Sequence, residues 1–180
     1  MDKIQDEIIG EFSVFDDWLD KYDYLIELSD ALPPIDAAHR TDRYLINGCQ
    51  SRVWIDARLE GGKVYYTADS DAIITKGIIA LLIRVLNGRT PQEILDTELY
   101  FIDAIGLSAN LSPTRSNGLL SMVKQMRLYA LAFASKDGAN EKKKIGNQRF
   151  FRQKRRPALR IGRNRKAGRE SFRRFLVFNA

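Results

Sequence analysis

The chain has one cysteine and one histidine among its 180 residues. A single cysteine excludes an internal disulfide, and without a CxxC pair or a Cys/His cluster there is no structural zinc motif. A dithiol oxidoreductase, which needs two cysteines, is excluded too. One thiol also supplies too few ligands for an iron–sulfur cluster held within one chain. No window holds the eighteen or so uninterrupted apolar residues of a membrane span. The opening Met-Asp-Lys-Ile-Gln-Asp-Glu carries acids and no hydrophobic stretch, so neither a secretory signal nor a transit peptide is expected. These absences together point to the cytoplasm.

What is present fits one domain of ordinary size, with 44% apolar residues. The net charge of +6 divides into two opposite parts. Residues 136–180 carry 16 Lys/Arg against 3 Asp/Glu, whereas residues 1–135 carry 13 against 20. The body is therefore acidic, and the basic isoelectric point belongs to the tail. We read 1–135 as the folded domain and 136–180 as a basic, mostly disordered extension that binds polyanions weakly at low salt.

Along the body, Ile4, Ile8, Ile9 and Phe12 have helical spacing. A second helix is expected from Ser13, with Asp16 at N3, turning Phe15, Trp18, Leu19, Tyr22 and Leu25 inward until Pro33-Pro34 stops it. From Val53 the pattern has period two, and Gly61-Gly62 separates it from Lys63–Ala68, which predicts a hairpin. Arg43–Ile46 reads as a third strand. Asp69-Ser70-Asp71 is expected to cap the next helix, in which Gly77 implies a close packing contact. Thr90-Pro91-Gln92-Glu93 is a helix start with cap, proline and N3 glutamate. Ser112-Pro113 opens the last long helix, with Leu119, Met122, Val123, Met126 and Ala130 on one stripe.

Cys49 falls between the third-strand candidate and the hairpin, directly after Gly48, which lets the backbone turn without steric cost. A lone cysteine is most often an inert core residue. A thiol held at a loop tip can also attack a sulfane sulfur and carry it as a persulfide, with no metal and no acid/base pair. A cysteine hydrolase would need a placed base and an oxyanion hole; His39, the one candidate base, reads better as a surface histidine. Arg115 opposes the dipole of the helix it opens, so it is expected to pair with Asp69 or Asp71, to stabilise a thiolate at Cys49, or both.

The segment Asn47-Gly48-Cys49-Gln50-Ser51-Arg52-Val53-Trp54-Ile55 resembles the G-C-Q-S-x-V-W motif of the SufE family of cysteine-desulfuration proteins. Asp69-Ser70-Asp71-Ala72 through Lys76-Gly77, Thr90-Pro91 with Ile94, and Leu111–Leu119 agree with it in order, as do Tyr24–Leu28 and Leu32-Pro33. The resemblance reaches about residue 134 and leaves the tail outside. It implies an α+β fold, a small, about three-stranded antiparallel sheet backed by helices and related to the iron–sulfur scaffold fold. It implies a sulfur acceptor and activator of a SufS-type cysteine desulfurase, delivering to a SufBCD-type scaffold. The protein would need no cofactor of its own, its partner desulfurase using pyridoxal phosphate. By position, Cys49 bears the persulfide; Gly48, Gln50 and Ser51 shape its loop; Asp71 and Arg115 lie near the loop and partner surface. Dimerisation is left open, membrane association is not expected, and a nucleic-acid role through the tail is the alternative reading.

Overall fold

In the computed structural model, the backbone of residues 2–154 and the side chains of residues 2–136 are described. The chain divides into two compact units, Met1–Glu141 and Lys142–Ala180, and the packing described below lies in the first. The element order is α1 (Asp2–Phe12), α2 (Trp18–Asp30), a 3-10 turn (Ala37–His39), β1 (Val53–Glu60), β2 (Lys63–Ser70), α3 (Ile73–Leu86), α4 (Pro91–Asp96), α5 (Phe101–Ala104), α6 (Leu107–Asn110) and α7 (Pro113–Lys154). This is the expected α+β class. No helix among the described residues is long and apolar enough to cross a membrane.

The hairpin forms where the alternation predicts it. β1 and β2 pair antiparallel from Val53 opposite Ser70 to Glu60 opposite Lys63. Gly61 and Gly62 both have positive φ, 57° and 77°, which matches the twist of a two-residue turn to that of the strands. Among the described residues the sheet has two strands, not three. The expected strand at Arg43–Ile46 contributes one bridge, Leu45 to Trp54, with hydrogen bonds from Ile46 N to Val53 O (2.9 Å) and from Ile55 N to Tyr44 O (3.0 Å). A turn closed by Tyr44 N on Thr41 O precedes this bridge, and Gly48 at φ 94° follows it, so the segment leaves the sheet before a ladder can grow.

The buried faces of α1, α2, α3 and α7 share one core with the hairpin, through Phe12, Leu25, Ile55, Ile79, Leu82 and Met126. Two tyrosines join α7 to the sheet. The Tyr66 hydroxyl donates to Met126 O (2.8 Å), and that of Tyr129 donates to Ile55 O (3.0 Å). Trp54 is buried on the other face of β1, where the guanidinium groups of Arg40 and Arg52 cover its ring at 4.8 and 5.1 Å. α7 itself crosses the change of composition after Ser135 and continues to Lys154; residues 155–180 of the expected low-order tail lie outside the described residues.

Two helix starts differ from expectation. α2 is capped by Asp17, whose carboxylate accepts from Leu19 N and Asp20 N, while Ser13 closes α1 by bonding to Gly10 O. That phase turns Trp18, Tyr22, Leu25 and Ser29 inward and leaves Leu19 74% exposed. At α3 the acids do not cap. β2 runs on to Ser70, the N-cap is Ala72 with no side-chain cap bond, and the acids serve other elements. The capping box of Thr90 and Glu93 is present as read.

Gly77 also meets its expectation. A Cβ there would run into the backbone carbonyl of Leu25, so α3 and α2 approach at a separation that only glycine permits. Replacing Gly77 with Ala gains about 1 kcal/mol of helix propensity but overpacks a rigid backbone contact, which typically costs about 1–3 kcal/mol. The predicted net result is a lower midpoint in urea denaturation; an unchanged or higher midpoint would mean that the two helices do not pack this closely.

Candidate functional site

The cysteine loop, residues 47–52, leaves the Leu45 bridge and returns as β1. Its entry requires glycine twice over: Gly48 sits at φ 94°, and a Cβ there would stand 2.5 Å from the Ser121 hydroxyl on α7. Its exit is tied to the junction of β2 and α3. Asp71 accepts from Arg52 N at 2.9 Å and returns its own N–H to Arg52 O, which also accepts from the Ser70 hydroxyl at 2.9 Å. Asp69 is occupied by Lys76 (3.3 Å) and Arg40 (3.6 Å).

Between these fixed ends Cys49 points at the first turns of α7. Its Sγ lies 3.5 Å from Gly118 O, and a Cβ added at Gly118 would sit 3.3 Å from the sulfur. The side chain is half-buried. It borders a small cavity of about 20 Å³, whose walls include Ser51 from the loop, Thr75 and Ile78 from α3, and Arg115 and Met122 from α7. Burial pushes the Cys49 thiol pKa up, because the thiolate would be stripped of water with no compensating charge.

Of the residues singled out from sequence, Gln50, Ser51 and Arg115 line this cavity with Cys49, and Gly48 and Asp71 fix the two ends of its loop. Arg115 is exposed and makes no ion pair among the described residues, so it does not bond to Asp69 or Asp71. His39 is elsewhere: its Nδ1 is 3.2 Å from Asp56, its ring packs on Tyr44, and it does not border the cavity. Sequence reasoning missed Thr75 and Ser121. Thr75 left one signal, a hydroxyl set in the apolar run of α3; Ser121 left none.

Residues 6–130 match the model of the family described as SufE, Fe-S metabolism associated domain. The chain belongs to the SufE family. That family works with cysteine desulfurases in iron–sulfur metabolism. Among curated relatives, an uncharacterized SufE-like protein of Synechocystis is 40% identical over 127 residues, 71% of this chain and 80% of that one. A SufE-like protein of Rhizobium etli, also uncharacterized, is 40% identical over 127 residues, covering 68% and 86%. The solution structure of a hypothetical protein from Thermus thermophilus superposes with a TM-score of 0.62 at 22% identity, over 73% of this chain and 96% of that one, which shows a shared fold.

In this SufE chain the desolvated thiol has a direct consequence for reactivity. Alkylation of Cys49 by iodoacetamide is predicted to be slow in the folded protein and to keep accelerating above pH ~8.5, where a free thiol is already half ionised. The urea-unfolded chain should level off near that pH. Coincident rate profiles for the two states would show that the pocket does not desolvate the sulfur.

Proposed function

We propose that this SufE protein accepts sulfur from a pyridoxal-phosphate cysteine desulfurase, stimulates that enzyme, and delivers the sulfur to an iron–sulfur assembly scaffold, carrying it as a persulfide on Cys49. The observation behind this reading is the placement of the chain's one thiol. It lies half-buried, against a cavity rather than in packed core, on a loop pinned at both ends. An inert core cysteine needs neither the cavity nor the loop.

The transfer balances without an added oxidant. The Cys49 thiolate attacks the terminal sulfur of a persulfide on the donor; a new S–S bond forms as the donor's S–S bond breaks, and the leaving electron pair stays on the donor cysteine. The proton lost by Cys49 is matched by the one the donor thiolate takes up. Delivery repeats the exchange with Cys49 as the leaving group.

Burial suits a carrier between transfers. A neutral, shielded thiol resists oxidation, since the thiolate is the form that oxidants attack. Reaction then requires the sulfur to leave its pocket, where the contact with Gly118 O is long and S–H is a weak donor. Asn47, Gln50, Arg52 and Arg115 are exposed around the loop, and Ile73 is 49% exposed close by in sequence to the tie at Asp71. This mixed face is where a desulfurase would dock and draw the loop out.

Incubation with a cysteine desulfurase and free cysteine should add the mass of one sulfur atom to Cys49, reversibly on addition of dithiothreitol. Cys49→Ser should accept none and stimulate none. A Cys49→Ser protein that still accelerates sulfide release as well as wild type would remove the carrier role.

A further inference from the structure

The cavity beside Cys49 is lined by a mostly buried hydroxyl that no protein group engages among the described residues. Thr75 is 8% exposed and lines the cavity, and its hydroxyl has no hydrogen-bond partner among the described residues. A hydroxyl on a helix can bond back to a carbonyl one turn earlier. Ser29 does so to Ile26 O and Ser135 to Leu131 O, both within 2.9 Å. Thr75 makes no such bond. Among the described residues the fully enclosed side-chain atoms without a partner are Trp54 Nε1 and Arg89 Nε, so the Thr75 hydroxyl keeps access to water and is free to bond to a group placed beside it.

We propose that Thr75 is a persulfide-binding residue, whose hydroxyl donates a hydrogen bond to the terminal sulfur carried by Cys49 and holds the loaded cysteine inside the cavity. The inference rests on the carrier reading of Cys49. Dimensions support it. A persulfide extends the side chain by one S–S bond, about 2.05 Å. The cavity's 20 Å³ is room for about one water-sized group, and so for one added sulfur atom. Ile78 and Met122 offer that sulfur an apolar, polarisable wall, and Thr75 offers a donor.

Charge points the same way. A persulfide ionises more readily than a thiol, so its terminal sulfur is the atom in this pocket that needs a donor. The cysteine loop contributes the neutral Gln50 and Ser51 to the cavity, α3 the neutral Thr75 and Ile78, and α7 one charged side chain, Arg115, which is exposed to water. Lys76, beside Thr75 in sequence, is engaged by Asp69. A neutral hydroxyl stabilises the anionic sulfur without burying a second charge.

Thr75→Val keeps the shape and deletes the donor; Thr75→Ser keeps the donor. Each full-length protein, with wild type, would be loaded with inorganic polysulfide in the absence of any desulfurase. The Cys49 persulfide would be counted by intact mass and titrated by its ultraviolet absorption. The expected result is that Thr75→Val loads but ionises at higher pH, by about one unit for one charge-assisted hydrogen bond. It should also lose its sulfur to cyanide about three- to tenfold faster, while Thr75→Ser matches wild type. Urea midpoints for all three confirm that folding is intact. A Thr75→Val persulfide that titrates and decays like wild type overturns the role of Thr75 and leaves the carrier reading standing. Wild type that takes up no sulfur on Cys49 overturns both.

Discussion

The cysteine site depends on two stretches of backbone meeting with no side chain between them. Gly48 brings the loop onto α7 at Ser121, and Gly118 lets the thiol lie against the helix itself. Both contacts belong to the same face of α7, one turn apart. A methyl group at Gly48 would meet strain at its φ of 94° as well as the Ser121 hydroxyl; at Gly118 it would press directly on the sulfur. The loop is therefore shaped less by its own preferences than by the helix it rests on. That helix is in turn held to the hairpin by hydroxyls of Tyr66 and Tyr129.

The loop's other end is fixed by a different kind of interaction. Asp71 and Ser70 close on the backbone of Arg52, while the Arg52 guanidinium and that of Arg40 lie against Trp54. Asp69 gathers Arg40 and Lys76. The run Asp69-Ser70-Asp71 therefore works sideways, into the neighbouring strand and loop, instead of along its own helix. Between a steric anchor at residue 48 and a polar one at residue 52, the intervening residues have little freedom except to swing about those ends.

Much of this could be read from the sequence because its causes are local. The Gly61-Gly62 turn, the capping box at Thr90, the close contact at Gly77 and the loop around Cys49 each follow from a few adjacent residues. What could not be read depends on partners far along the chain. Asp17 displaces Ser13 as the cap of α2, and the resulting phase exposes Leu19. The segment at Arg43–Ile46 has strand-like residues, yet its flanking turns allow only one bridge. Helix-dipole reasoning leaves Arg115 a choice between Cys49 and the acids, and the fold puts it at the cavity while Asp69 finds other cations. The hydroxyl of Thr75 stands out in the apolar run of α3, but its place beside the sulfur depends on how α3, α7 and the loop converge.

The narrowness of the chamber next to Cys49 bears on arithmetic as well as chemistry. If Cys49 carries sulfur as proposed, a space with room for about one atom favours a single-sulfur cargo over a longer chain, which would reach further toward solvent. On that reading each loaded molecule would count for one sulfur, and the walls themselves would meter the traffic in single units.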